Sequence, residues 1–206
     1  MNQIHSTAIV HDSVIMGDNN FVGPYVVIGP NVKIGNHNMF VAHCSVGLPA
    51  EHRDYWDKYG EVEIGSDNII REFTTINSST KGRTMMGDRC IMLRNSHLSH
   101  DSILEDDVTL SCNVLVGGES YIMRGVNVGL GAIMHQRSII GSYSMIGMGS
   151  VITKGSQITP GNIYVGTPAR YLKMNKIGLE RNKIDNDSFA KECERFSRII
   201  QLRDKK

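Results

Sequence analysis

The sequence predicts an all-β parallel β-helix that ends in a short helical tail. The main observation is a large aliphatic residue at every sixth position, as in the run Leu98, Leu104 and Leu110. Glycine often follows this position, and a small or β-branched residue usually stands two places before it. Neither the period of a helix nor that of a plain strand gives this spacing. A hexapeptide repeat is typical of parallel β-helices, in which three hexads form one triangular coil.

The repeat also sets the order of elements along the chain. It begins at Ile4, breaks off at about 48–61 and at 78–83, and then runs without interruption from Met86 to Ile158. Long loops that leave a rigid scaffold often carry binding groups, and the first interruption contains the only tryptophan. A solvated loop with its aromatic side chains packed on the β-helix is an equally good interpretation. The second interruption is short and polar.

A helical segment is predicted to follow the β-helix. The repeat stops near Gly161, so we assign residues 1–165 to the β-helix domain and residues 166–206 to a C-terminal helical segment. The stretch 166–170 predicts a turn into a short helix, because Pro168 suits an early helical position.

An amphipathic helix is predicted from Asp187 to about Arg203. Four apolar residues recur there at intervals of four and three, which places them on one face: Phe189, Cys193, Phe196 and Ile200. The opposite face carries the basic residues Lys191, Arg195, Arg198 and Arg203. A basic face of this kind is usually solvated, and the alternative is a docking surface for an acidic partner.

The bulk composition argues against several classes of function. The 206 residues carry a net charge of +1, which gives no general case for binding nucleic acid or a membrane surface. The sequence has no apolar stretch long enough to span a bilayer. The N-terminus enters the repeat without the basic and apolar segments of a signal peptide. We therefore expect a cytoplasmic protein.

The four cysteines do not indicate a disulfide or a metal site. Cys44 and Cys90 occupy the small inward position of the repeat and are predicted to be buried, reduced thiols. A zinc site is not expected, because His97 and His100 are three apart on an extended segment and point in different directions. The sequence also implies no tightly bound cofactor.

The segment from His97 to Asp101 is the strongest candidate for chemistry. Leu98 is a repeat residue and points inward, so His100 and Asp101 are expected at a corner, facing outward. A histidine is the usual general base near neutral pH because its ordinary pKa is about 6.5. A neighbouring carboxylate would orient its ring. Taken alone, the segment also fits two surface histidines on a corner of the coil.

One coil contains three hexads. Residues that are one coil apart in the sequence are therefore predicted to lie above one another in vertical columns. One column holds His100, Gly118 and Gln136, and the column beside it holds Gly117 and His135. A glycine on such a face lets a ligand approach the backbone and leaves an N–H free to bind an oxyanion. A base, an oxyanion donor and polar groups on one face indicate an acyl-transfer site. Turn glycines and a surface glutamine are the plainer interpretation.

On these residues the chain resembles the bacterial UDP-N-acetylglucosamine acyltransferases that begin lipid A synthesis. The similarity covers most of the β-helix and the start of the tail, in segments 70–76, 95–101, 135–141, 166–170 and 175–181. Many sugar and amino-acid acyltransferases share the repeat, but the ordered set His-x-x-His-Asp, His-Gln and Asn-x-x-Gly-Leu-x-Arg is much more specific. The resemblance implies a left-handed β-helix and a homotrimer with each site between two chains.

The resemblance also implies roles for individual residues. His100 matches the family's general base, Asp101 its orienting carboxylate, and Gly118 the glycine whose N–H holds the thioester oxyanion. The other matches are substrate contacts, with the last two near the nucleotide: His97, His135, Gln136, Asn175 and Arg181.

The departures from the family fall mainly on the sugar side of the site. In the first interruption the family carries Gln-Asp-x-Lys-Tyr, and only Tyr55 of that segment remains. Asn77 and Glu119 stand where the family has histidines, and the helical tail is shorter. Met148 replaces the glycine of members that accept long acyl chains, so its side chain is expected to shorten the acyl channel. The resemblance therefore does not fix the acceptor.

We predict an acyltransferase that moves a short or medium 3-hydroxyacyl group from a thioester to a hydroxyl or amine of a nucleotide sugar such as UDP-N-acetylglucosamine. The donor stays open, because the family uses acyl carrier protein, which suits a basic tail helix, whereas many hexapeptide proteins use CoA. A CoA-dependent N-acetyltransferase acting on an amino-sugar nucleotide is the alternative enzyme. A non-catalytic scaffold subunit is a third hypothesis, which leaves the column of His100, Gly118 and Gln136 unexplained.

Overall fold

The computed structural model describes residues 1–203 and is a parallel β-helix with three sheets. Sheet 1 contains β1 Gln3–Ile4, β4 Phe21–Val22, β7 Met39–Phe40, β10 Ile69–Ile70, β13 Ile91–Met92, β16 Thr109–Leu110, β19 Asn127–Val128, β22 Met145–Ile146, β25 Asn162–Val165 and β26 Arg170–Met174. Sheet 2 contains β2 Ile9–Val10, β5 Val27–Ile28, β8 Ser45–Leu48, β11 Thr75–Asn77, β14 His97–Leu98, β17 Leu115–Val116, β20 Ile133–Met134 and β23 Val151–Ile152. Sheet 3 contains β3 Ile15–Met16, β6 Val32–Ile34, β9 Glu61–Ile64, β12 Arg83–Met86, β15 Ile103–Leu104, β18 Tyr121–Ile122, β21 Ile139–Ile140 and β24 Gln157–Ile158.

The predicted registry between coils is confirmed, and the two interruptions shift it without breaking it. Leu98 pairs with Val116, and Val116 with Met134, as one coil of three hexads requires. Ile76 pairs with Leu98, although the second interruption adds residues between them. Val46 pairs with Ile76 across the longer first interruption. Both interruptions therefore leave the stack as loops while the rungs on either side stay aligned.

The repeat residues form one continuous core along the axis of the β-helix. Leu98, Leu110 and Ile122 are completely buried, as the repeat predicts. The first coil is the exception: Ile4 is 52% exposed, because among residues 1–203 no coil lies below it to cover its inward side. Burying this column of aliphatic side chains is the main source of stability in such a stack.

Three corners connect the sheets, and the site lies at the second of them. We call the turns from sheet 2 to sheet 3 the second corner; both interruptions leave from it, between β8 and β9 and between β11 and β12. Its turns use a left-handed backbone, with φ of 57° at Asp101, 57° at Glu119 and 64° at Arg137. Asp and Asn tolerate this conformation better than most residues because their side chains hydrogen-bond locally.

Burial also determines the protonation state of the two inward-facing cysteines. Cys44 and Cys90 are buried and free, as predicted. Burial raises the pKa of the Cys44 thiol to about 11 and that of Cys90 to about 12. Both side chains are therefore neutral thiols that fill the core.

The segment after the β-helix differs from the prediction at its start. Residues 166–170 were expected to turn into a helix, and instead they lead into strand β26, which pairs antiparallel with β25. A hairpin satisfies the outer edge of the last β-helix strand, and helix α1, Lys176–Arg181, begins only after it. The expectation of a helix at Pro168 is therefore wrong.

The predicted amphipathic helix is confirmed as α2, Asn186–Arg203. Its apolar face lies on the outside of sheet 3, where Phe196 is buried against Met123 and Ile139. The last three residues of the predicted C-terminal segment, 204–206, lie outside the described residues. Among residues 1–203, helices long and apolar enough to cross a membrane are absent.

The basic face of α2 is only partly solvated. Arg195 forms an ion pair with Glu105, directly after β15 of sheet 3, and a second one with Glu192. Arg203 donates a hydrogen bond to the Glu119 carbonyl oxygen and lies over the Tyr121 ring. Two of the four basic residues therefore hold the helix on the β-helix, and Lys191 and Arg198 are exposed.

Candidate active site

His100 and Asp101 form a hydrogen-bonded pair at the second corner. His100 Nδ1 lies 2.9 Å from Asp101 Oδ2, and the two side chains are only 14% and 11% exposed. An ionised carboxylate accepts hydrogen bonds and donates none, so Nδ1 carries the proton of the neutral imidazole. The Nε2 lone pair is therefore available to take a proton from another group, as a general base requires.

The second interruption holds Asp101 in place. Thr80 Oγ1 donates to Asp101 Oδ2 at 2.6 Å, and the backbone N–H groups of Lys81 and Gly82 donate to Oδ1 at 3.1 and 3.0 Å. Burial alone would raise the pKa of the Asp101 carboxyl, but the hydrogen bonds from His100, Thr80, Gly82 and Lys81 outweigh it and hold the pKa well below its usual range. Asp101 is thus a fixed anion next to the ring.

Gly118 supports the other side of the His100 ring. A Cβ atom at residue 118 would lie 2.7 Å from both Cε1 and Nε2 of His100, too close for any side chain. Only glycine lets the imidazole rest against the backbone of the next coil. The column of His100 and Gly118 that the sequence predicts is therefore present, with Nε2 beside the Gly118 backbone.

The upper part of the column is polar and open. Gln136 and His135 are exposed, one coil above Gly118, and the Arg137 N–H donates to the Gly118 carbonyl oxygen at 3.0 Å. The Glu119 side chain reaches up to Arg137 at 3.2 Å. Of the predicted substrate-binding residues, His135, Gln136 and Glu119 thus share one corner with His100.

His97 lies next to this corner on sheet 2. Its Nδ1 is 2.7 Å from Thr75 Oγ1 on the coil below. Burial lowers the pKa of His97, with the nearby Glu51 carboxylate opposing the shift. His97 is therefore neutral near pH 7 and faces outward as a hydrogen-bonding group.

Asn77 is on the same side of the β-helix but is covered by the first interruption. It is 6% exposed, and its Nδ2 donates to the Pro49 carbonyl oxygen at 3.3 Å. Its Oδ1 is buried without a partner among the described residues. Asn77 therefore holds the base of the loop, and the structure does not place its side chain on the open surface of the corner.

Sequence reasoning missed two residues of this site. The first is Thr80 in the polar segment described above. The second is His52, whose ring meets His100 edge to face with centroids 6.1 Å apart. Both could have been found by extending the columns through the interruptions. Val46, Ile76 and Leu98 lie in sheet 2, so the loops that follow Val46 and Ile76 leave the stack at the same corner as His100.

Three other predicted site residues lie away from His100 within one chain. Met148 follows β22 at the corner between sheets 1 and 2 and is 73% exposed. Arg181 ends helix α1 and is exposed. Asn175 is buried: its Nδ2 donates to the Tyr143 carbonyl oxygen, and its Oδ1 caps α1 by accepting from Gly178 N–H. Within one chain, these three residues therefore do not lie beside His100.

The comparison with known proteins gives a consistent class. The family model of the bacterial transferase hexapeptide (six repeats) matches residues 13–47. The acyl-[acyl-carrier-protein]–UDP-N-acetylglucosamine O-acyltransferase of Synechocystis sp. is 29% identical over 81% of this chain and 60% of that relative. The LpxA structure from Acinetobacter baumannii superimposes with a TM-score of 0.79 at 30% identity, covering 93% of this chain and 81% of that one. The UDP-N-acetylglucosamine O-acyltransferase structure from Moraxella catarrhalis has a TM-score of 0.75 at 30% identity, covering 93% and 82%.

The fold and the corner define a hexapeptide-repeat protein built on a left-handed β-helix, the hand shared by these structures. The chain belongs to the UDP-N-acetylglucosamine acyltransferase family. It spans about 60% of the length of the curated relative from Synechocystis.

Proposed function

We propose that this protein is an acyltransferase that uses His100 as its general base. The observation that carries the proposal is the His100 ring, held by Asp101 on one side and resting on Gly118 on the other. This arrangement fixes the tautomer of a base and places its free nitrogen beside a backbone from which an N–H can bind a developing negative charge.

The reaction follows from these positions. His100 Nε2 takes the proton of an acceptor hydroxyl or amine while that group attacks a thioester carbonyl. The Gly118 N–H stabilises the tetrahedral oxyanion. Collapse of the intermediate breaks the carbon–sulfur bond, and the imidazolium returns its proton to the leaving thiolate. General-base catalysis contributes about 10²–10⁴-fold, and one oxyanion donor about 10²–10³-fold.

The acceptor and donor are proposed from the relatives. The Synechocystis relative is named for acyl transfer from acyl carrier protein to UDP-N-acetylglucosamine, and the Moraxella structure is named a UDP-N-acetylglucosamine O-acyltransferase. We assign this chain the same kind of acceptor, a nucleotide sugar, and a short or medium 3-hydroxyacyl group, because Met148 is bulkier than glycine. An acyl carrier protein is the proposed donor, and the cytoplasm the proposed compartment.

A homotrimer is part of the proposal. Met148 and Arg181 are exposed at other edges of the chain than His100, whereas Asn175 is buried in its own chain. A trimer of β-helices would bring such edges of one subunit next to the second corner of its neighbour. The proposed site is therefore completed between two chains, and its oligomeric state can be measured by light scattering.

The deciding experiment compares His100→Ala with the wild-type chain. Purified wild-type protein is offered 3-hydroxyacyl carrier protein and acetyl-CoA side by side, with UDP-N-acetylglucosamine and an amino-sugar nucleotide as acceptors. We expect transfer from the carrier protein, and a loss of at least 100-fold in kcat for His100→Ala.

Several outcomes would contradict the proposal. A folded His100→Ala protein that keeps more than about a tenth of the wild-type turnover would exclude this role for His100. Transfer from acetyl-CoA to the amino sugar alone would favour the N-acetyltransferase. No turnover with any donor would favour a scaffold. His37→Ala is the matched control, because His37 is an exposed histidine on a different corner.

A further inference from the structure

Asp101 makes more hydrogen bonds than orienting a ring requires. One of its oxygens, Oδ2, is shared by two side chains: His100 Nδ1 at 2.9 Å and Thr80 Oγ1 at 2.6 Å. The other oxygen, Oδ1, accepts from the backbone N–H groups of Lys81 and Gly82. The Thr80 backbone N–H also donates to the carboxylate, 3.2 Å from Oδ1 and 3.1 Å from Oδ2. These backbone donors do not depend on the side chain of residue 80, so the Thr80 hydroxyl is an additional contact on the oxygen that faces the base.

A second side-chain donor on Oδ2 changes how strongly that oxygen interacts with His100. The Thr80 hydroxyl withdraws negative charge from Oδ2, and so weakens its stabilisation of the imidazolium that forms when His100 takes a proton. Removing the hydroxyl leaves the backbone donors in place and concentrates more charge on Oδ2. The ring would then bind its proton more tightly and release it to the leaving thiolate less readily.

We propose that Thr80 is a positioning residue that sets the basicity of His100 by sharing Asp101 Oδ2 with it. This inference rests on the proposed function, in which His100 is the base. Thr80 acts through Asp101, to whose carboxylate its hydroxyl donates.

The other titratable and charged groups around the pair come from four elements and remain unchanged in the variants below. They are Glu51 and His52 of the first interruption, His97 of β14, Lys81 of the second interruption, and Glu119 of the coil above. A change in the titration of His100 on losing the Thr80 hydroxyl would therefore arise at Oδ2.

The test is a histidine ring titration by ¹⁵N NMR on the complete chain without substrates. It compares the wild type with Thr80→Val, which removes the hydroxyl, and Thr80→Ser, which restores it. In Thr80→Val the pH midpoint for protonating the His100 ring should rise by about half a pH unit, and in Thr80→Ser it should return to the wild-type value. Should Thr80→Val fail to fold, Thr80→Ala removes the same donor with a smaller side chain.

Thr84→Val is the matched control. Thr84 Oγ1 accepts from the Asp101 backbone N–H at 2.9 Å and does not touch the carboxylate. Its loss should lower the melting temperature and leave the His100 midpoint in place. A structural role for Thr80 would give Thr80→Val the same behaviour as Thr84→Val.

Kinetics separate this inference from the proposed function. The acid limb of kcat/KM should move in Thr80→Val in the same direction as the ring titration. An unchanged or lowered midpoint in Thr80→Val overturns the role of Thr80. A midpoint that rises in Thr80→Val and returns in Thr80→Ser, in a protein that transfers no acyl group, refutes the proposed function and supports the coupling through Asp101.

Discussion

Two loops leave the same corner of this β-helix and are held in different ways. The second interruption is tied to the coil above it by its hydrogen bonds to Asp101. The first is anchored near its ends, where Asn77 donates to the Pro49 carbonyl and Asn31 donates to the Tyr59 carbonyl. How an inserted loop is anchored thus depends on which groups of the stack it contacts.

The same difference separates the roles of the two loops. The second interruption holds the His100–Asp101 pair from the coil below through its hydrogen bonds to Asp101. The first has an exposed middle and touches the site through one ring, that of His52. Changes to the second loop should therefore act on the chemical step, and changes to the first on binding of the acceptor.

The largest effect is expected for Asp101→Asn. The amide NH₂ would face donors from the second interruption, and it cannot fix the His100 tautomer as a carboxylate does. We expect kcat to fall by about 100-fold or more with a smaller change in the KM of the acceptor. Steady-state kinetics on protein shown to be folded by circular dichroism check this; a change confined to KM would contradict the division between the loops.

Asp101 should also make the stability of the protein depend on pH. Its pKa is lowered in the folded state, so its contribution is fully present above the unfolded value of about 4 and is lost as pH falls through the lower folded value. The difference in unfolding free energy between wild type and Asp101→Asn should therefore shrink below about pH 4. Urea unfolding from pH 7 to pH 3 measures it, and a constant difference would show that the carboxylate is not stabilised by folding.

A smaller effect is expected for His52→Ala in the first interruption. His52 Nδ1 accepts the Asp54 N–H at 3.3 Å, so Nε2 carries the proton of the neutral ring and can donate to a bound acceptor. Losing one such donor should raise the KM of the acceptor about two- to tenfold with little change in kcat. Arg53→Ala, an exposed neighbour in the same loop, is the control. An equal effect of both variants would mean that the loop acts only by its general shape.

The smallest effect is expected for Trp56→Ala at the exposed part of the first loop. Trp56 is 75% exposed, so it buries little apolar surface in the chain. The free energy of unfolding should change by no more than about 0.5 kcal/mol. Thermal or urea unfolding tests this, and a larger loss would show that the loop is packed more firmly than its exposure indicates.

Much of the site could be predicted from the repeat, because the repeat fixes the number of residues between positions that lie above one another in successive coils. Steps of one coil place Gly118 above His100 and Gln136 above Gly118, and the strand pairs confirm that count. The helical face of α2 follows from its period in the same way, and Phe196 is buried as predicted. The hairpin at Pro168 was missed because an isolated turn signal does not show whether a strand edge nearby needs a partner.

The sequence by itself determined the stack, its inward residues and the vertical alignment of the base with the glycine, because a six-residue period repeats the same contact in every coil. Only the tertiary structure decided that Thr80 shares a carboxylate oxygen with the base, and that Arg195 and Arg203 bind the β-helix. These contacts join residues in different coils outside the repeat. No local period encodes them, since they form only where the folded stack brings the loops and the tail against it.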